Sequence, residues 1–250
     1  MRNLKKTIGL TLIACTIILG GCKPPSMLRD IAYDVNKKSG YTVYIAENEE
    51  YVPYLVLTKD YNGNCLLLRE RLLDEPRRYH PNGRYAAYYE TSEIDGYLNN
   101  EFFDTLSSEV RNIIINSEIV ITAKESLAVC GTETKTIERA VFLLSYSELG
   151  GEKSSTKLVE GKQLSYFKSD DSRIARYSSN RVGSWTLRTV NTWEDNFVCG
   201  VTIDGVAGSG GIGGGLGDYV NGIRPAFCLP GDTAIYTDEV DGETVYFIRF

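Results

Sequence analysis

The sequence predicts an α+β domain of small antiparallel sheets, two or three helices and long loops. Three observations carry this reading. β-type runs open the folded part of the chain, two helical patterns occupy its middle, and short strands return after Tyr166. The strict strand–helix alternation that a parallel α/β sheet requires is missing.

Taken in order, 41–46 alternates as a strand. Runs 54–58 and 65–69 flank Asn62-Gly63, and both residues tolerate the positive φ of a primed turn, so a hairpin is predicted there. A charged loop over 69–84 carries Pro76 and Pro81. Ser92-x-x-Asp95 approximates a capping box, and Ile94, Leu98 and Phe102 fall on one helical face, so a helix starts at Ser92. A shorter helix over 108–114 runs into the β-branched stretch 119–122. After a strand at 139–144, Ser145-x-x-Glu148 is a second capping box, opening a turn that Gly150-Gly151 closes. The remaining strands are expected at 185–190, 197–203, 223–229 and 244–250.

Residues 1–21 read as a lipoprotein signal peptide. Arg2, Lys5 and Lys6 form a basic start, 8–19 is an apolar run too short for a comfortable span, and Leu19-Gly20-Gly21-Cys22 matches a lipobox. Cys22 is then the lipidated residue, 22–40 a polar tether and 41–250 a single domain. Exported, membrane-anchored localisation follows, with the acyl chains as the membrane link. Loss of the three basic residues leaves 24 Lys+Arg against 33 Asp+Glu, a net charge of −9. So acidic a chain lacks the basic surface that phosphate backbones demand, and no nucleic acid is expected as a partner.

Four cysteines remain, Cys65, Cys130, Cys199 and Cys228, and an oxidising compartment makes them disulfide candidates with three connectivities. Cys199 and Cys228 lie in apolar runs on either side of a Gly-rich loop, so their pairing is the favoured one. No C-x-x-C spacing suggests zinc or redox chemistry. Gly208-Ser209-Gly210-Gly211-Ile212-Gly213 satisfies G-x-G-x-x-G in form, yet the glycines that follow cannot open the helix that motif needs. No cofactor is expected. His80 is the chain's single histidine and sits in a turn with no serine or cysteine motif beside it. Loop acids, including Asp195 and Asp218, offer oxygen ligands but no calcium-loop pattern, so the metal question stays open.

Several segments also resemble a family of uncharacterised bacterial surface domains, many of them lipoproteins. Ser92-Glu93-Ile94-Asp95-Gly96-Tyr97-Leu98-Asn99-Asn100-Glu101-Phe102 resembles its S-x-I-R-x-W-L-N-x-x-F helix, and Val141-Phe142-Leu143-Leu144-Ser145 with Glu148 its V-F-L-L-S-x-x-E segment. Ser184-Trp185-Thr186-Leu187-Arg188-Thr189 resembles its W-W-L-R-S strand, and Gly222-Ile223-Arg224-Pro225-Ala226-Phe227 its closing G-V-R-P-A-F. These segments lie in the family's order over residues 50–230. The family is remotely similar to C-type-lectin-like and sulfatase-modifying-factor folds, which implies a C-type-lectin-like architecture. The closely spaced cysteine pair of the sulfatase-modifying oxidases has no counterpart, since Cys199 and Cys228 lie 29 positions apart.

The motif residues Asn99, Trp185, Arg188 and Arg224 are expected to hold the fold, with Arg224 paired to a carboxylate such as Glu148 or Asp104. Tyr79, His80, Trp193, Asp195 and Asp218 are the loop residues expected to meet a ligand. The function this implies is binding of a glycan or protein at the cell surface. An envelope- or glycan-acting enzyme using loop carboxylates, or an assembly lipoprotein, is the alternative.

Overall fold

The computed structural model describes residues 26–36, 39–80, 87–151, 158–193, 197–208, 215–216, 220–240 and 242–250. The predicted Cys22 lipobox, Asp195, Asp218 and most of the Gly-rich loop therefore lie outside the described residues.

One seven-stranded sheet dominates. Its spatial order is Ile235–Val240, Glu243–Ile248, Thr42–Glu47, Glu50–Tyr61, Asn64–Arg69, Ala226–Leu229 and Val141–Phe142. Every neighbour is antiparallel except Thr42–Glu47 beside Glu243–Ile248, which run parallel with Val43 opposite Tyr246. A second, four-stranded sheet is built on Trp185–Val190 and Phe197–Val201, and Ser117–Thr122 pairs with Thr134–Arg139.

The Asn62-Gly63 hairpin forms as predicted. Tyr61 pairs with Asn64, and the two turn residues take φ of +53° and +80°. The helix also starts where expected, with the Ser92 hydroxyl accepting from the Asp95 amide at 3.1 Å. Ile94, Leu98 and Phe102 are all buried.

The α+β, C-type-lectin-like expectation is overturned. The chain is 41% strand and 16% helical, its helix content resting on one 13-residue helix. That helix runs through Glu93–Tyr97, a π-helical Leu98–Phe102 and Phe103–Thr105. The second predicted helix shrinks to Ser108–Arg111. Its β-branched continuation favours extended backbone, and Ile115 instead donates to the Cys228 carbonyl at 3.0 Å. Ile235–Val240, absent from the sequence reading, enlarges the main sheet. The predicted strand at 139–144 divides between two sheets, Thr134–Arg139 in one and Val141–Phe142 in the other.

Two further expectations are corrected. All four described cysteines are free. Cys199 and Cys228 belong to different sheets and not to neighbouring strands, and burial pushes the Cys228 thiol up to about 12 and Cys65 to about 11. Such thiols are unreactive. The start of the predicted tether is also part of the body. Leu28 and Ile31 are buried, Met27 bridges Ala234, and Tyr33 donates its amide to the Val56 carbonyl.

Candidate functional site

Two buried arginines from the family-like segments separate scaffold from site. Arg188 sits in the strand Trp185–Val190 and spends all five of its N–H donors. Nε donates to Val120 O at 3.0 Å, Nη1 to Leu143 O and Glu148 Oε2 at 2.7 and 2.8 Å, and Nη2 to Glu148 Oε1 and Glu160 O at 2.9 and 3.2 Å. Burial alone would lower its pKa, but the Glu148 carboxylate holds it raised. Glu148 is oriented in turn by the Ser145 amide and the Tyr61 hydroxyl. Arg188 is thus a fully satisfied structural cation.

Arg224 is different. The sequence reading paired it with a carboxylate, but Glu148 is taken by Arg188, and no ion pair to Arg224 exists among the described residues. Its Nε donates to Arg69 O at 2.9 Å, while Nη1, also buried, has no hydrogen-bond partner. The guanidinium lies over the Trp185 ring at 5.3 Å, and Trp185 is itself held by its Nε1 donating to Arg173 O. Local backbone explains the placement. Pro225 biases Arg224 to extended geometry, Arg69 donates to the Pro225 carbonyl, and Leu73 to that of Ile223. Gly222 lies so close to Ser184 O and Leu72 that a Cβ would meet both at 2.7 Å. Desolvation pushes the Arg224 pKa down to about 10, which still leaves it charged at neutral pH.

Arg224 forms part of the wall of a cavity of about 450 Å³, within the range of small-molecule sites. Tyr41, Glu70, Arg71, Tyr166 and Arg176 line it too. Arg71 is anchored to the Tyr177 and Ser178 carbonyls and Arg176 to that of Asn180, so neither spends its charge on a carboxylate among the described residues. Three arginines against Glu70 make this cavity cationic on a chain of net charge −6. Tyr41 and Tyr166 meet edge to face with Tyr33, at centroid separations of 5.1–5.8 Å. Burial raises the Tyr166 pKa to about 12, so its hydroxyl stays neutral, and it is hydrogen-bonded with Tyr41.

Chemically this wall offers more positive than negative charge. Glu70 is its one carboxylate, and it carries neither histidine nor cysteine. Paired-carboxylate glycoside chemistry needs two such groups about 5–10 Å apart. A second cavity of about 330 Å³, at Tyr44, Tyr51, Glu109 and Phe250, holds no basic side chain.

The predicted ligand residues do not gather here. Tyr79 is core, its hydroxyl donating to Arg188 O. His80 is half-buried and accepts the Glu93 amide on Nδ1. Trp193 is 73% exposed, away from the cavity lining. No cluster of three or more His, Cys, Asp or Glu suited to a metal occurs among the described residues. Arg71, Arg176, Glu70, Tyr41 and Tyr166 were not singled out from sequence. The density of basic residues at Arg69-x-Arg71 and Arg173-x-x-Arg176 was their only local signal.

Residues 62–231 match the family model described as Domain of unknown function (DUF6273). The chain belongs to this family. The DUF6273 span contains every charged residue of the cavity wall, whereas Tyr41 and Thr42 lie before it, Thr42 opening the strand Thr42–Glu47. No curated protein and no solved structure matches the chain significantly.

Proposed function

We propose that this chain is an exported, lipid-anchored binding protein whose domain takes an anionic ligand in the Arg224 cavity. The observation that carries this reading is Arg224, a wall residue that makes no ion pair among the described residues and whose Nη1 is buried without a hydrogen-bond partner. A buried charge without a hydrogen-bonded counter-ion costs several kcal/mol. The same domain gives Arg188 a complete set of partners, so an anion from outside the chain is the natural complement to Arg224. Arg71 and Arg176 would complete the anion's hydrogen bonds. The segment Gly222–Phe227, read from sequence as a family motif, would make the cavity a shared feature of DUF6273 domains. Anchoring rests on the lipobox that ends at Cys22.

The test uses the full-length chain in detergent against acetate, benzoate, succinate and phosphate at fixed ionic strength, each beside an uncharged analogue. At least one anion raises the melting temperature, and Arg71→Gln or Arg176→Gln weakens it on the order of 10- to 100-fold, the value of a charge-assisted hydrogen bond. Absence of any anion-specific shift overturns the reading. The anchor is checked separately: Cys22→Ala abolishes incorporation of labelled fatty acid in cells, and continued labelling rejects it.

A further inference from the structure

We infer that the ligand is a small zwitterion of the α-amino-acid type, with its carboxylate on Arg224 and its ammonium on Glu70 beside the tyrosine rings; this rests on the anion-binding reading above. Glu70 is the pivotal residue. It shares the cavity wall with Arg71, Arg176 and Arg224, yet it enters no ion pair and no side-chain hydrogen bond among the described residues. It is nevertheless near enough for its charge to be felt at Tyr41, Tyr166 and Arg224. One small cavity therefore presents unspent positive charge and an unspent negative charge.

Charge excludes the simpler ligands. A cation without an acid group meets three arginines, and a dianion meets Glu70 with its second charge. A molecule bearing one charge of each sign satisfies both. Two of the three edge-to-face tyrosines, Tyr41 and Tyr166, belong to the same wall as Glu70. An ammonium there is attracted by ring faces as well as by the carboxylate. The Tyr166 hydroxyl, kept protonated by burial, is already a hydrogen-bond partner of Tyr41, which ties the two rings together in this wall.

The discriminating experiment measures melting temperature and calorimetric affinity for the full-length chain in detergent. Its probes are the standard amino acids in L and D form and a set of dipeptides, which distinguish a free amino acid from a peptide. Each is compared with its N-acetyl derivative, which lacks the ammonium, and its amide, which lacks the carboxylate. The expected result is that at least one zwitterion binds and that either derivative loses about tenfold or more. Glu70→Gln should weaken the zwitterion while leaving the N-acetyl form unaffected or improved. An N-acetyl form that binds wild type as tightly as its parent overturns the zwitterion and leaves the anion site standing. Binding of phosphate or succinate with no amino acid or dipeptide bound has the same consequence. Failure of every carboxylate and phosphate overturns both. The wild-type comparison decides the matter even if Glu70→Gln fails to fold.

Discussion

At the residue scale, the difference between Arg188 and Arg224 is hydrogen-bond arithmetic. Both lie on strand-like segments and both are buried, but only one has its donors matched by the chain. The carboxylates around Arg188 have their own consequence. Glu160 is fully buried, accepts from the Thr122 and Thr189 hydroxyls, and has its pKa raised by desolvation, against the opposing pull of Arg188. As pH rises above the usual 4.5, the unfolded chain releases this proton while the folded chain retains it. The folded state then binds more protons, so stability falls with rising pH, by up to about 1.4 kcal/mol per pH unit, until the folded group also ionises. Glu160→Gln is expected to flatten that slope in urea titrations run from acid to neutral pH. An unchanged slope in the variant would show that another group titrates.

At the element scale, the single long helix is joined to the main sheet by Asn99. Its Nδ2 donates to the Val141 carbonyl at 2.9 Å and its Oδ1 accepts the Val141 amide at 3.1 Å. The side chain thus satisfies backbone groups of Val141–Phe142, the strand at one edge of the sheet. Asn99→Ala leaves that buried donor and acceptor unmet and should cost about 1–3 kcal/mol, read as a lower urea midpoint at unchanged m. A midpoint equal to wild type would mean that water replaces the amide. The elements legible in sequence were those with local chemistry. Asn62-Gly63 made the turn it predicts, and Ser92 made its cap. Ile235–Val240 had a signal too, Asp241-Gly242 before Glu243–Ile248, with Gly242 at φ +81°. Its sparse burial, with most side chains exposed, hid it from a search for alternating apolar runs.

At the scale of the whole molecule, the DUF6273 span does not hold a complete sheet. Ile235–Val240, Glu243–Ile248, Thr42–Glu47 and Glu50–Tyr61 lie outside residues 62–231, which leaves three of the seven strands. Without them, the buried Leu66, Leu67 and Leu68 of Asn64–Arg69 lose one neighbouring strand and the apolar surface it covers. A 62–231 fragment is therefore expected to lack a cooperative melt and a dispersed amide NMR spectrum, whereas 26–250 has both. A folded 62–231 fragment would refute this. The parallel pairing of Thr42–Glu47 with Glu243–Ile248 closes the body by joining segments from its two ends.

By itself the sequence determined what depends on neighbouring residues: the hairpin turn, the helix cap, the reciprocal Ser145–Glu148 box and the apolar face of the helix. It also carried the family-like segments, on which Arg188 and Arg224 stand. What it could not determine was which arginine would take Glu148, or that Glu70, Arg71, Tyr166, Arg176 and Arg224 would face one cavity. Turn and cap energies act over a few residues, so local pattern reveals them. An ion pair or a cavity wall depends on which distant strands become neighbours, and that is decided by burial of the whole apolar surface. The mostly-β outcome has the same origin: the helical patterns were real, but packing into the sheet and β-branched continuations kept all but one of them to a turn or so.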